Sequence, residues 1–203
     1  MYASCYEANG TLFETLLDEN DVVFSDELNH ASIIDGIRLC KAKKQVFAHN
    51  DMTILEEQLK KFMDKRVRLI AVDGVFSMVG DLAPLPEILA LAKKYDAIVF
   101  IDECHGTGIF GKTGRGIPEY FGVEGQVDII NSSFGKALGG GTGGFTCASK
   151  EIVDVLRQRS RHYAVSNPMI PSVVGATIEA FKMLDESRDL IDKLKRNSKR
   201  LRS

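Results

Sequence analysis

At 203 residues and 22.4 kDa the chain is long enough for one sizeable core, and with 44% hydrophobic and 27% charged residues it has an ordinary globular composition. A net charge of -2 and a pI near 6.1 remove the electrostatic case for nucleic acid or an anionic membrane as partner. Cys5, Cys40, Cys104 and Cys147 form no C-x-x-C pair, which argues against a zinc ribbon or disulfide scaffold and for a reducing, intracellular compartment.

In chain order, Leu12, Phe13, Leu16 and Leu17 recur at helical spacing within residues 7–17, after the small and polar Ala8-Asn9-Gly10. Residues 22–24 read as a short buried strand. A polar turn, Ser25-Asp26-Glu27-Leu28-Asn29-His30, opens a helix over 31–42 that puts Ile33, Ile34, Ile37 and Cys40 on one face. A strand over 45–48 and a helix marked by Leu55, Leu59, Phe62 and Met63 follow.

From residue 67 the alternation is regular. A strand over 67–72 ends at Asp73-Gly74, a helix covers 86–95, and a strand over 97–101 ends at Asp102. Another strand, 127–130, leads into Asn131-Ser132-Ser133-Phe134-Gly135-Lys136-Ala137-Leu138-Gly139-Gly140-Gly141, read as a glycine-rich loop. Residues 144–148 form one more strand, antiparallel because so short a connection precedes it. From Glu151 onward the chain is mostly helical, with a break at 166–171. No run approaches the ~20 apolar residues that span a bilayer. The basic stretch 193–202 follows Asp185, Glu186, Asp189 and Asp192 on one helix and reads as a solvated face.

Strands separated by helices call for parallel pairing with right-handed crossovers, so the expected fold is α/β: a mostly parallel, doubly wound sheet flanked by helices. In such sheets ligands bind outside the carboxyl ends of the strands. Asp73 and Ser77, Asp102 and His105, Ser133 and Lys136 all fall on that edge. The glycines let backbone approach a ligand closely and Ser132 and Ser133 offer hydroxyls, which suits a phosphorylated ligand held near Lys136.

A second pattern competes for the same region. Gly106-Thr107-Gly108-Ile109-Phe110-Gly111-Lys112-Thr113 satisfies the phosphate-loop motif, whose mechanism needs the Lys-Thr pair to open a helix. Gly114-Arg115-Gly116-Ile117-Pro118 follows instead, a poor helix opening, so nucleotide triphosphate binding is not expected.

Asp102-Glu103-Cys104-His105-Gly106-Thr107-Gly108, Asp73-Gly74-Val75-Phe76-Ser77-Met78 with Gly80-Asp81, and Ser133-Phe134-Gly135-Lys136 together resemble the α-oxoamine synthases. These are fold-type I pyridoxal-phosphate transferases that join an amino acid to an acyl-CoA. Ser4-Cys5-Tyr6-Glu7-Ala8-Asn9-Gly10 and the stretch 25–38 look most like the members using glycine and acetyl-CoA, with 8-amino-7-oxononanoate synthase-like members as the nearer alternative.

The resemblance, which covers essentially the whole chain, implies pyridoxal 5'-phosphate as cofactor. Lys136 matches the lysine that holds the cofactor aldehyde and then moves a substrate proton, Asp102 the carboxylate facing the pyridine nitrogen, and His30 the histidine on the ring face. His30 can also be read as a cap of the helix that begins at Ala31. His105 and Ser77 match groups near the ring phenol. Backbone at Cys5 and Tyr6, with Ser133, matches phosphate contacts, and Ser166 and Asn167 reach the phosphate from the second subunit of a homodimer. Ser133 stands where relatives usually carry Thr, and Val79 where they usually carry Asp. Family chains extend beyond both ends, so residues 1–183 are expected to be the cofactor domain lacking an N-terminal part, and 184–203 a helix leading toward a C-terminal domain. A chain so shortened could also be catalytically incompetent. The compartment implied is mitochondrial in a eukaryote and cytoplasmic in a bacterium.

Overall fold

The apolar runs pair into one sheet. The computed structural model describes residues 1–139 and 141–203, so Gly140 of the glycine-rich loop lies outside the described residues. The strands are β1 Val22–Asp26, β2 Lys43–Phe47, β3 Arg68–Asp73, β4 Ile98–Asp102, β5 Ile129–Ser133 and β6 Gly144–Ala148, in the order β2-β1-β3-β4-β5-β6. The first five are parallel and β6 is antiparallel to β5, the pairing its short connection permits.

Alternation along each strand divides the core into two layers. Val22, Phe24, Ile70, Val72, Val99 and Ile101 pack on α3 (Met52–Lys61) and α4 (Leu85–Tyr95). Val23, Leu69, Ala71, Phe100 and Ile129 pack on α1 (Cys5–Leu16), α2 (Ala31–Leu39) and α6 (Lys150–Arg159). Helices thus cover both faces, which is why the central strands are near-continuous in apolar residues. The connection after β1 leads outward to β2 and the one after β3 leads the other way to β4, making the β1/β3 boundary the switch point where a crevice opens.

Three features differ from the sequence expectation. β5 continues through Asn131, Ser132 and Ser133, which local composition assigns to a loop. Pairing overrides composition there: Asn131 is held against Asp102 on one side and Thr146 on the other, and Ser133 against Gly144. A short helix, α5 (Ile117–Phe121), begins with Pro118 in its first turn, where a missing amide is tolerated. The helix over 31–42 stops at Leu39, and the edge strand β2 starts at Lys43, with its side chains largely exposed.

The remaining helices are α7 (Arg161–Ala164), α8 (Pro171–Glu186) and α9 (Asp189–Arg202). Both α8 and α9 are mainly exposed, with Thr177 and Ile191 as their buried residues. The expected boundary at residue 184 lies inside α8, and the helix break falls at Ser187 and Arg188.

Candidate active site

The registered pairs Asp73↔Asp102 and Asp102↔Asn131 put three polar residues in a row across β3, β4 and β5 at the carboxyl edge. Strand alternation carries each of them to the face of Ala71, Phe100 and Ile129, the face that α1 covers. All three are buried. Such a row costs desolvation energy unless it is hydrogen-bonded.

Asn9 of α1 supplies much of that bonding. Its Nδ2 donates to Asp102 Oδ2 at 2.6 Å and to Ser32 Oγ at 2.9 Å, and its Oδ1 accepts from Asn131 Nδ2 at 2.8 Å. The amide of Cys104 donates to Asp102 Oδ1 at 2.8 Å. Asp102 is therefore fixed from two sides with lone pairs left toward the cavity. Asp73 accepts from the His30 amide at 2.8 Å; burial, then the neighbouring Asp102 charge, pushes its carboxyl well above the ordinary carboxylate range.

A cavity of about 160 Å³ opens on this row and is lined by Cys5, Tyr6, Asn9, His30, Ser32, Asp73, Ser77, Asp102, Cys104, His105, Ser133 and Lys136. Eight of the ten residues predicted from sequence meet here. His30 serves both readings at once: its Nδ1 accepts from the Ser32 amide at 3.2 Å, capping α2, while its ring borders the cavity. Burial, then the Lys136 charge, holds His105 below the ordinary histidine range, favouring a neutral ring.

α1 reaches the cavity with its N-terminus. Ser4 caps it by accepting from the Glu7 amide at 3.1 Å, and the amides of Cys5 and Tyr6, first in the helix, have no carbonyl a turn earlier to bond. Such an end favours an anion. Close approach fixes the placement: a Cβ on Gly144 would lie 2.5 Å from the Cys5 backbone. Ser133 Oγ accepts from the Gly135 amide at 3.0 Å on the opposite wall.

Ser166 and Asn167 do not join this cavity within the chain. Ser166 Oγ lies 3.5 Å from Glu7 Oε1, and Asn167 lines a separate cavity of about 600 Å³ beside Tyr2, His162 and Met169. The phosphate-loop pattern is filled from within: Thr113 donates its amide to Glu119 at 2.9 and 3.1 Å and its hydroxyl at 3.0 Å, and the Arg115 amide adds 3.0 Å. A carboxylate of this chain thus takes those donors.

Asn9, Ser32, Cys104 and Asn131 are the site residues that sequence patterns missed. Their only sequence signal is a polar residue at an otherwise core-facing position, as Asn9 is beside Leu12 and Phe13. The residues present suit a planar, phosphorylated aldehyde: a fixed carboxylate, two helix-start amides, an imidazole and a primary amine share one cavity.

A doubly wound sheet with this set at the carboxyl edge of its strands is the architecture of fold-type I transferases. The chain belongs to the aminotransferase class I and II family, whose model matches residues 1–203. It is 54% identical over 203 residues to the mitochondrial 2-amino-3-ketobutyrate coenzyme A ligase of Mus musculus, covering all of this chain and 49% of that protein. It is 52% identical over 204 residues to the 2-amino-3-ketobutyrate coenzyme A ligase of Salmonella typhimurium, covering all of this chain and 51% of that protein. Among solved structures, a Sphingomonas wittichii serine palmitoyltransferase superposes with a TM-score of 0.93 at 36% identity, over 98% of this chain and 50% of that one. The chain spans about half the length of the curated relatives it matches. Among the described residues, no helix is long and apolar enough to cross a membrane.

Proposed function

We propose that this chain is the cofactor-binding part of a pyridoxal-phosphate-dependent acyltransferase that condenses glycine with acetyl-CoA, giving 2-amino-3-oxobutanoate and coenzyme A. The observation that carries this reading is the convergence of Lys136, Asp102, His30 and His105 in one cavity, in a chain 54% identical along its length to a 2-amino-3-ketobutyrate coenzyme A ligase.

When bound, pyridoxal phosphate supplies an aldehyde that takes up an amine and a ring that accepts electrons from the substrate α-carbon. Asp102, held by Asn9 and the Cys104 amide, is the carboxylate that would pair with the ring nitrogen and keep it protonated. His30, bordering the cavity, would cover one face of the ring and exclude water. Ser77 and His105 would bond the phenolic oxygen, His105 through a neutral ring that can donate. The Cys5 and Tyr6 amides and the Ser133 hydroxyl would hold the phosphate, and in a homodimer Ser166 and Asn167 of the partner subunit would join them. The Lys136 amine, which lines the cavity, would hold the cofactor's aldehyde and would move a proton at the substrate α-carbon. Residues 1–183 make up the cofactor domain, and 184–203 lead from it toward a C-terminal domain.

A second choice of substrates has specific support: the chain is 48% identical over 196 residues to the 8-amino-7-oxononanoate synthase of Thermosipho melanesiensis. Supplying cofactor and following release of the coenzyme A thiol across a panel of amino acids and acyl-CoAs separates the two. The expected result is release with glycine and acetyl-CoA. Turnover only with another amino acid and acyl-CoA pair would overturn the assignment.

A further inference from the structure

We infer that Cys5, Asp102 and Cys104 form a binding site for one thiophilic divalent cation, zinc or cadmium, occupied in competition with the cofactor. The competition rests on the cofactor reading above; the metal site itself rests on geometry.

The two sulfurs and a carboxylate oxygen of this trio all lie within 4.8 Å of one another. Among the described residues no other three His, Cys, Asp or Glu side chains group in this way. Cys5 Sγ is 4.0 Å from Asp102 Oδ2, and the three residues are only 8%, 5% and 6% exposed in the order Cys5, Asp102, Cys104. Bonds of about 2.3 Å to sulfur and about 2.1 Å to oxygen put tetrahedral ligand atoms roughly 3.5 to 3.8 Å apart, so a contraction of roughly 1 Å closes the site. The local backbone keeps the three ligands close: Asp102 and Cys104 are two residues apart and joined by the Cys104 amide, and Cys5 begins a capped helix.

Ligand softness selects the ion. Two thiolates favour zinc and cadmium over magnesium or calcium, and three protein ligands leave a fourth position for solvent. Without metal, the hydrogen bond with Cys5, burial and the Asp102 charge all push the Cys104 thiol up. A dication reverses the sign of that environment, because the crowding of negative groups that opposes a thiolate attracts the ion. Binding releases two thiol protons to solvent with no redox change. It also takes the Asp102 lone pairs that a pyridinium nitrogen would need, so ion and cofactor exclude each other.

The test titrates the reduced, cofactor-free chain with cadmium, following thiolate-to-metal charge-transfer absorption, for wild type and for Cys5→Ser, Cys104→Ser and Cys147→Ser, with circular dichroism confirming the fold. The expected result is saturation at one ion per chain in wild type and Cys147→Ser, with affinity at least tenfold weaker in Cys5→Ser and Cys104→Ser. No saturable band in folded wild type, or a band indifferent to both inner cysteines, overturns the site. The same titration is repeated on wild-type chain whose cofactor has been fixed by borohydride, where the band should vanish; a full band there overturns the competition. Failure of the cofactor to load counts against the function proposed above, and the titration of the cofactor-free chain still decides the metal site.

Discussion

Asn9 organises the pocket's charge. Its Nδ2 contact of 2.6 Å with Asp102 is a hydrogen bond to a carboxylate, a type that contributes about 1.5–3 kcal/mol. Asn9→Ala is expected to keep the fold and weaken pyridoxal-phosphate affinity on the order of tenfold or more; an unchanged dissociation constant in an absorbance titration would count against the positioning role. Glu103, behind Asp102, works differently. Its carboxylate accepts from the Ile117 amide at 2.9 Å and is caged so closely that a Cβ on Gly74, Gly106 or Gly116 would come within 2.2, 2.2 or 1.8 Å of it. Burial pushes Glu103 up to about 8 from an ordinary 4.5. The folded chain then binds more protons than the unfolded one between those values, so its stability falls as pH rises from about 5 to about 8. Glu103→Gln should flatten that fall in denaturant melts across the range, and an equally steep fall in the variant would assign it to other groups, Asp73 first.

At the scale of elements, the N-terminus of α1 is tied to the start of β6. Tyr2 and Gly144 exchange backbone hydrogen bonds of 2.8 and 3.0 Å, and the missing side chain of Gly144 admits the Cys5 backbone. Gly144→Ala would force α1 away from β6 at a cost of about 1–3 kcal/mol, as overpacking does, and would displace the Cys5 and Tyr6 amides. Phosphate-dependent binding should suffer more than stability, read as a larger loss of affinity for pyridoxal phosphate than for pyridoxal. Equal losses for both would show that these amides do not hold the phosphate. The strands were largely legible because runs such as 69–72 and 98–101 have few other folds open to them. The polar end of β5 was not, since Asn131-Ser132-Ser133 prefers turns locally and becomes strand only through partners on both sides.

Across the whole molecule, the site is an outcome of topology. The carboxyl edge could be located from the order of strands and helices, and with it Asp73, Asp102 and Lys136. What the sequence hid is pairing between distant residues: Asn9 with Asn131 across 122 positions, and Cys5 with Asp102 across 97. No local period reports such contacts, which exist only once α1 lies on the sheet. The phosphate-loop motif shows the reverse case, where letters agree and context does not, because Glu119 takes the donors a phosphate would need.

Lys136 is the residue we propose to carry the cofactor. Mixing the chain with pyridoxal phosphate, reducing with borohydride and mapping the labelled peptide tests it directly. The expected result is visible absorption before reduction and one pyridoxyl group on Lys136, both lost in Lys136→Ala. Label spread over surface lysines, or unchanged absorption in Lys136→Ala, would contradict it.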